Sequence, residues 1–221
     1  MTGNFKNFII FSSIIIVHEL GHIVGAVVCK WHIEKVIILP FGGITIFKEK
    51  IDKPLKQEFL ITILGPLFQL IFYFLYKDNY IFSYYNKTIF LFNLLPIHPL
   101  DGSKLINIFL NRIFSFKRSH ITTIIISTIT LILAIFFSII EKNLIFIFIL
   151  SFLIINNIKE MYKHKYYFNK FLLERYLYQN KFKRKKTVKK VEEMKKQTKH
   201  IFFIEKKYFT EKEIIAKMFD N

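Results

Sequence analysis

Five apolar runs, at about residues 8–28, 58–76, 81–98, 121–140 and 144–158, dominate the first 158 residues of this chain. A helix of roughly 20 apolar residues crosses a hydrocarbon core, and a backbone placed there satisfies its N–H and C=O groups only as a helix or a closed barrel. The runs therefore predict an all-α polytopic membrane protein of about five transmembrane helices. Only Glu141-Lys142-Asn143 separates the last two, which makes them a tight helical hairpin. Composition matters here because it is segregated. The chain is 52% hydrophobic with a mean hydropathy of +0.34, yet carries a formal net charge of +17. Beyond Lys159 it turns polar and strongly basic, which divides it into a transmembrane domain (1–158), a basic cytoplasmic linker (159–187) and a tail (188–221). In the tail, Val188–Gln197 reads as helix, Ile201–Ile204 as strand and Glu211–Phe219 as helix, a small cytoplasmic α/β piece too short for a large core.

Orientation follows from Lys and Arg placement. Lys30, Lys35, Lys48, Lys50, Lys53 and Lys56 lie between the first two runs, and Lys104, Arg112, Lys117 and Arg118 between the third and fourth. With five spans, both segments and the basic tail face the cytoplasm together, and the N-terminus lies outside. The tail's charge run, Lys181 to Lys190, suits anionic lipid headgroups rather than nucleic acid. The lone Cys29 excludes an intrachain disulfide and reads as packing. The first run has no small-residue cleavage site and carries two His and a Glu, so it is not a disposable leader.

Those three residues are the chemical core of the sequence. His18-Glu19-Leu20-Gly21-His22 places two imidazoles four apart on one helix face. That spacing suits one Zn²⁺, with the adjacent Glu19 as general base. Ionisable side chains in a span each cost about 2.5–3.5 kcal/mol on insertion scales and are rarely left unpartnered. The plainer alternative is that they only hydrogen-bond neighbouring helices. A catalytic zinc needs a third protein ligand. Asn93-Leu94-Leu95-Pro96-Ile97-His98-Pro99-Leu100-Asp101-Gly102 offers Asp101, with His98 as a rival, although Asp101-Gly102 also reads as a plain turn or cap. Between them, the apolar segment His32 to Phe47 is broken at Pro40-Phe41-Gly42-Gly43. That is the pattern of a short membrane-embedded β-hairpin or re-entrant loop, which must line protein or a wet cavity.

His18–His22, Leu39–Gly43, Gly65-Pro66-Leu67 and Asn93–Gly102, with Pro54–Phe59 and Phe171–Tyr176, resemble in order the site-2 protease family of intramembrane zinc metalloproteases, nearest its bacterial sporulation branch. The resemblance implies that His18, His22 and Asp101 hold one Zn²⁺, that Glu19 is catalytic, and that Asn93, Pro96, Phe41, Gly42 and Gly43 position substrate. It implies hydrolysis within or beside a substrate's membrane segment, plausibly of a pro-sigma factor in sporulation, under inhibitory membrane proteins. It also implies that the tail is a shortened cystathionine-β-synthase-type module, where ATP is the expected ligand and a plain solvated tail the alternative. Two features depart from the family. One more span usually precedes the zinc helix, and the residue three after the Gly-Pro proline is Gln69 rather than Asn. A zinc transporter or a non-catalytic membrane-binding relative are the rival readings. The first calls for further intramembrane ligands, and the second leaves Glu19 without a purpose. The sequence is compatible with an oligomer.

Overall fold

The computed structural model describes residues 2–39, 42–48, 51–141, 144–178, 182 and 184–219. The chain runs through α1 (Thr2–Val28), the strands β1 (Ile33–Leu39) and β2 (Gly42–Phe47), and then α2 (Leu55–Tyr76), α3 (Tyr80–Asn93), α4 (Asp101–Ile113), α5 (Phe116–Glu141) and α6 (Leu144–Leu177). It ends in β3 (Arg184–Val188), a 3-10 turn (Val191–Glu193), β4 (Thr198–Ile204), β5 (Lys207–Thr210) and α7 (Glu211–Phe219). The fold is mostly helical with two small sheets, as expected. Phe5–Val28 of α1, α2, and Phe116–Ile139 of α5 are long and apolar enough to cross a membrane. Their outward residues, among them Phe74, Leu75, Ile132 and Phe137, are more than half exposed, the surface a helix presents to lipid rather than water.

The third apolar run ends as helix before its last residues. α3 has 14 residues, roughly 21 Å of helix, and stops at Asn93. Pro96 and Pro99 cannot continue it, since each lacks an N–H and crowds the preceding turn. Residues 94–100 form turns that bury Ile97, and Asp101 starts a new amphipathic helix, α4. The last run differs the other way. α6 is 34 residues long and passes through Asn156 and Asn157 without a break, so residues 159–177 continue the same helix.

α1 and α2 cross at backbone contact. A Cβ on Gly25 would stand 2.9 Å from the Ile61 Cα, and one on Gly21 would run into the Leu64 carbonyl. Small residues four apart are how two membrane helices approach this closely. Between these helices lies the hairpin. β1 and β2 pair antiparallel, with Leu39 opposite Gly42 and Val36 opposite Thr45. The expected break at Pro40-Phe41 lies outside the described residues.

The tail packs onto the helices rather than hanging free. Phe116 of α5 and Phe168, Phe171 and Leu172 of α6 share one core with Val188, Val191, Met194, Phe202 and Ile215. Here the sequence reading of Val188–Gln197 as helix is corrected. The segment ends strand β3, turns once through Val191–Glu193 and then runs as loop. β3 pairs in parallel with β4, and burying Val188, Val191 and Met194 against the α5–α6 end outweighs local helix preference. The Ile201–Ile204 strand and the Glu211–Phe219 helix appear as expected.

Candidate active site

His18, Glu19 and His22 lie mid-length on α1, all but fully buried. Helical spacing puts both imidazoles on the face that α2 covers. The His22 Nδ1 lies 2.9 Å from the Ile61 carbonyl, which only accepts, so this nitrogen carries the proton. The His18 Nδ1 lies 2.9 Å from Gln69 Oε1. The Gln69 Nε2 donates to the Asn86 carbonyl at 2.9 Å, which turns the amide oxygen towards His18. Both imidazoles therefore present a bare Nε2 lone pair inward. Gly65 leaves room for this, because a Cβ there would strike the His22 ring.

Those two Nε2 atoms are 3.1 Å apart, and each is 2.9 Å from Asp101 Oδ2. Three lone-pair-bearing atoms at this separation repel one another unless a cation sits among them. Ligands bonded to one Zn²⁺ at about 2.0–2.1 Å in tetrahedral array lie roughly 3.3 Å apart, close to this triangle. The donor set thus fits the metal. Asp101 reaches it because α4 begins there, and Gly102 lets that first turn lie against the Leu94 carbonyl. The second carboxylate oxygen of Asp101 accepts from Lys104 Nζ at 2.9 Å. The ligand atoms of His18, Glu19 and His22 all fall within 4.8 Å of one another, so Glu19 stands beside the triangle. It is held from the hairpin, where Thr45 Oγ1 donates to Glu19 Oε2 at 3.2 Å.

The rival His98 points elsewhere, its Nε2 lying 3.6 Å from Glu160 Oε2. Asn93 is buried at the end of α3, and Pro96 sits in the turn after it. Gly42 and Gly43 open β2, opposite Leu39 and Ile38, while Phe41 lies outside the described residues. A cavity of ≈ 380 Å³ opens beside the site, with Thr45, Lys104, His98, Trp31 and Phe47 in its wall.

Sequence reasoning missed the roles of Thr45, Lys104 and Gly65, and took Gln69 only as a packing variant. Lys104 carried a local signal, three residues after Asp101 on one helix face. The other three act across elements, so no spacing along the chain reveals them.

Peptidase family M50 matches residues 6–77. The chain is 32% identical over 194 residues to stage IV sporulation protein FB of Bacillus subtilis (strain 168), covering 82% of this chain and 67% of that protein. It is 28% identical over 156 residues to a zinc metalloprotease of Methanocaldococcus jannaschii, covering 64% of this chain and 45% of that protein. The solved site-2 protease from Methanocaldococcus jannaschii matches the fold with a TM-score of 0.55 and 26% identity, over 69% of this chain and 76% of that one. Shared sequence across two thirds of a sporulation protein, together with a buried donor set that fits zinc, places the chain in peptidase family M50, the site-2 proteases, as a membrane-embedded zinc metalloprotease.

Proposed function

We propose that this protease cleaves a membrane-associated protein within or next to its membrane segment, and that His18, His22 and Asp101 hold the zinc while Glu19 moves the proton. The observation that carries the assignment is the triangle of two bare Nε2 atoms and one carboxylate oxygen. Zinc bound there supplies Lewis-acid polarisation of the scissile carbonyl and activation of water. Glu19 takes the water proton and returns it to the leaving amine, and the Thr45 hydroxyl aims its carboxylate. Lys104 occupies the outer oxygen of Asp101, leaving the inner one for the metal. Asp101 is preferred to His98 because His98 turns to Glu160.

A helical substrate hides its carbonyls, so it must unwind near the metal. The β1–β2 hairpin, which contacts Glu19, offers a strand edge for the unwound segment, with Gly42 and Gly43 opening β2, and Phe41 is assigned to the same positioning role by the family resemblance. Asn93, at the end of α3, and Pro96, in the turn that leads to Asp101, are assigned to positioning the same segment. The inferred topology has five spans, with α3 and the first half of α6 as the two short ones, the N-terminus outside and the C-terminus cytoplasmic. Residues 1–158 form the membrane domain, 159–187 the basic segment and 188–221 the tail. The family resemblance makes the substrate class a pro-sigma factor and the restraint inhibitory membrane proteins, and a relative named as a sporulation protein supports that reading.

The test is cleavage of a co-expressed pro-sigma candidate in membranes by wild type and Glu19→Gln, with zinc measured on both. Zinc-loaded Glu19→Gln should lose about 10²–10⁴-fold in rate, the range general acid–base catalysis supplies. Equal cleavage by both would remove Glu19 from the mechanism.

A further inference from the structure

The tail and the helices enclose a cleft of ≈ 1100 Å³ whose lining shares no residue with the zinc site. Its helix wall carries Lys56, in the first turn of α2, and Arg112, in the last turn of α4. Its tail wall carries Arg184, Lys185 and Lys186 of β3, together with Lys195. No carboxylate lines it among the described residues. The nearby acids are already engaged. Glu58 pairs with Lys196, and Asp52 lies 2.9 Å from Arg175 Nε. Among the described residues, Lys56, Arg112, Arg184, Lys185 and Lys186 have no salt-bridge partner. Burial and the neighbouring Lys186 ammonium both hold Lys195 below the ordinary lysine value, as a cation lacking a counter-charge behaves.

Like charges converging from two walls of one cleft call for an anion between them. Leu55 and Lys56, the first residues of α2, line the cleft, so the partial positive charge of that helix end adds to the demand. α2 is one of the helices able to cross the membrane, and the cleft lies at its first turn. A basic pocket between helices at that level suits a phospholipid headgroup.

We propose that this cleft is a phosphate-binding site, filled by the headgroup of an anionic phospholipid, which fastens β3 and the Lys195 loop to the ends of α2 and α4. A soluble phosphate has the same binding chemistry, and the experiment separates the two sources. The site is independent of the zinc chemistry, so its failure leaves the protease assignment standing.

The measurement is amide hydrogen exchange over residues 184–198 in the full-length protein. It is placed in discs of phosphatidylcholine alone, or of phosphatidylcholine with about a third phosphatidylglycerol. Exchange in this segment should slow several-fold in the anionic discs. Lys56→Gln/Arg112→Gln should abolish that slowing, since both residues are exposed and the change spares the fold. Lys163→Gln/Lys165→Gln removes equal charge from the exposed side of α6, outside the cleft, and should leave the slowing intact. Inorganic pyrophosphate added to neutral discs is the soluble arm. Protection by pyrophosphate that the cleft variant removes keeps the site and assigns it a soluble ligand. Equal loss in both double variants means diffuse surface charge and overturns the proposal, as does the absence of protection by lipid and pyrophosphate alike.

Discussion

At the scale of single residues, the catalytic chemistry depends on side chains that never touch the metal position. Gly65 and Gln69 set the two imidazoles. Gly65→Ala puts a methyl group where the His22 ring lies. We expect zinc content and cleavage to fall together while the helical circular dichroism stays unchanged; normal zinc occupancy in this variant would sink the close-contact argument. Gln69→Leu removes the acceptor for His18 Nδ1, and losing such an orienting partner costs about 10–100-fold in metal affinity. Gln69→Asn, which keeps an amide oxygen on a shorter side chain, should recover part of that loss in a zinc-competition titration. A Leu variant that binds zinc like wild type would show that Gln69 merely packs. The letters His18, Glu19, His22 and Asp101 were readable as chemistry because helical spacing and an intramembrane setting constrain them. The residues alone ranked Asp101 ahead of His98 without orienting either, since the two are three apart and only the start of α4 turns one inward.

At the scale of elements, the tail is held by buried charge. Arg175 on α6 lies 2.9 Å from Asp52, donates to the Lys195 and Thr198 carbonyls, and stacks over Phe182. The Arg175–Asp52 approach is an ion pair by distance but is not aligned as a hydrogen bond. Arg175→Leu leaves Asp52 buried and uncompensated, a loss of about 3–5 kcal/mol where a buried partner is removed. Trypsin should then cut the 184–190 segment much faster in the full chain, and an unchanged digestion rate would contradict the clamp. Glu211 is a second fastener. Burial pushes its carboxyl up, but the His200 hydrogen bond and the Arg175 charge outweigh this and hold it below the ordinary 4.5. A depressed folded value gives stability that is present above pH 4.5 and is lost as pH falls through the lowered value. Protection of β4 and α7 against hydrogen exchange should accordingly weaken on acidification below that point. Glu211→Gln should flatten this dependence, and an identical profile in the variant would count against it. Pro40 to Gly43 marked the hairpin in the sequence because Pro and Gly break helices. Nothing comparable marked the parallel β3–β4 pairing, which joins residues 14 apart, such as Arg184 and Thr198, against the α5–α6 core.

At the scale of the whole molecule, three elements meet at one point: α1 brings two imidazoles, α4 a carboxylate, and the hairpin the hydroxyl that holds Glu19. Metal at that point ties α1 to α4, so removing it should loosen the junction as well as stop cleavage. Chelation should lower the unfolding midpoint, and zinc at 100 times its dissociation constant should restore about 2.7 kcal/mol. His18→Ala should show no zinc-dependent shift, and a shift of wild-type size there would place the metal elsewhere.

The sequence by itself determined the medium, the helical class and the zinc chemistry. Those depend on run length, local breakers and spacing along one helix, all of which are properties of neighbouring residues. Only the tertiary structure decided which of two candidate ligands faces the histidines, and that the tail shares a core with α5 and α6. Each of these turns on contacts between segments far apart in the chain, where burial and close backbone approach override local preference.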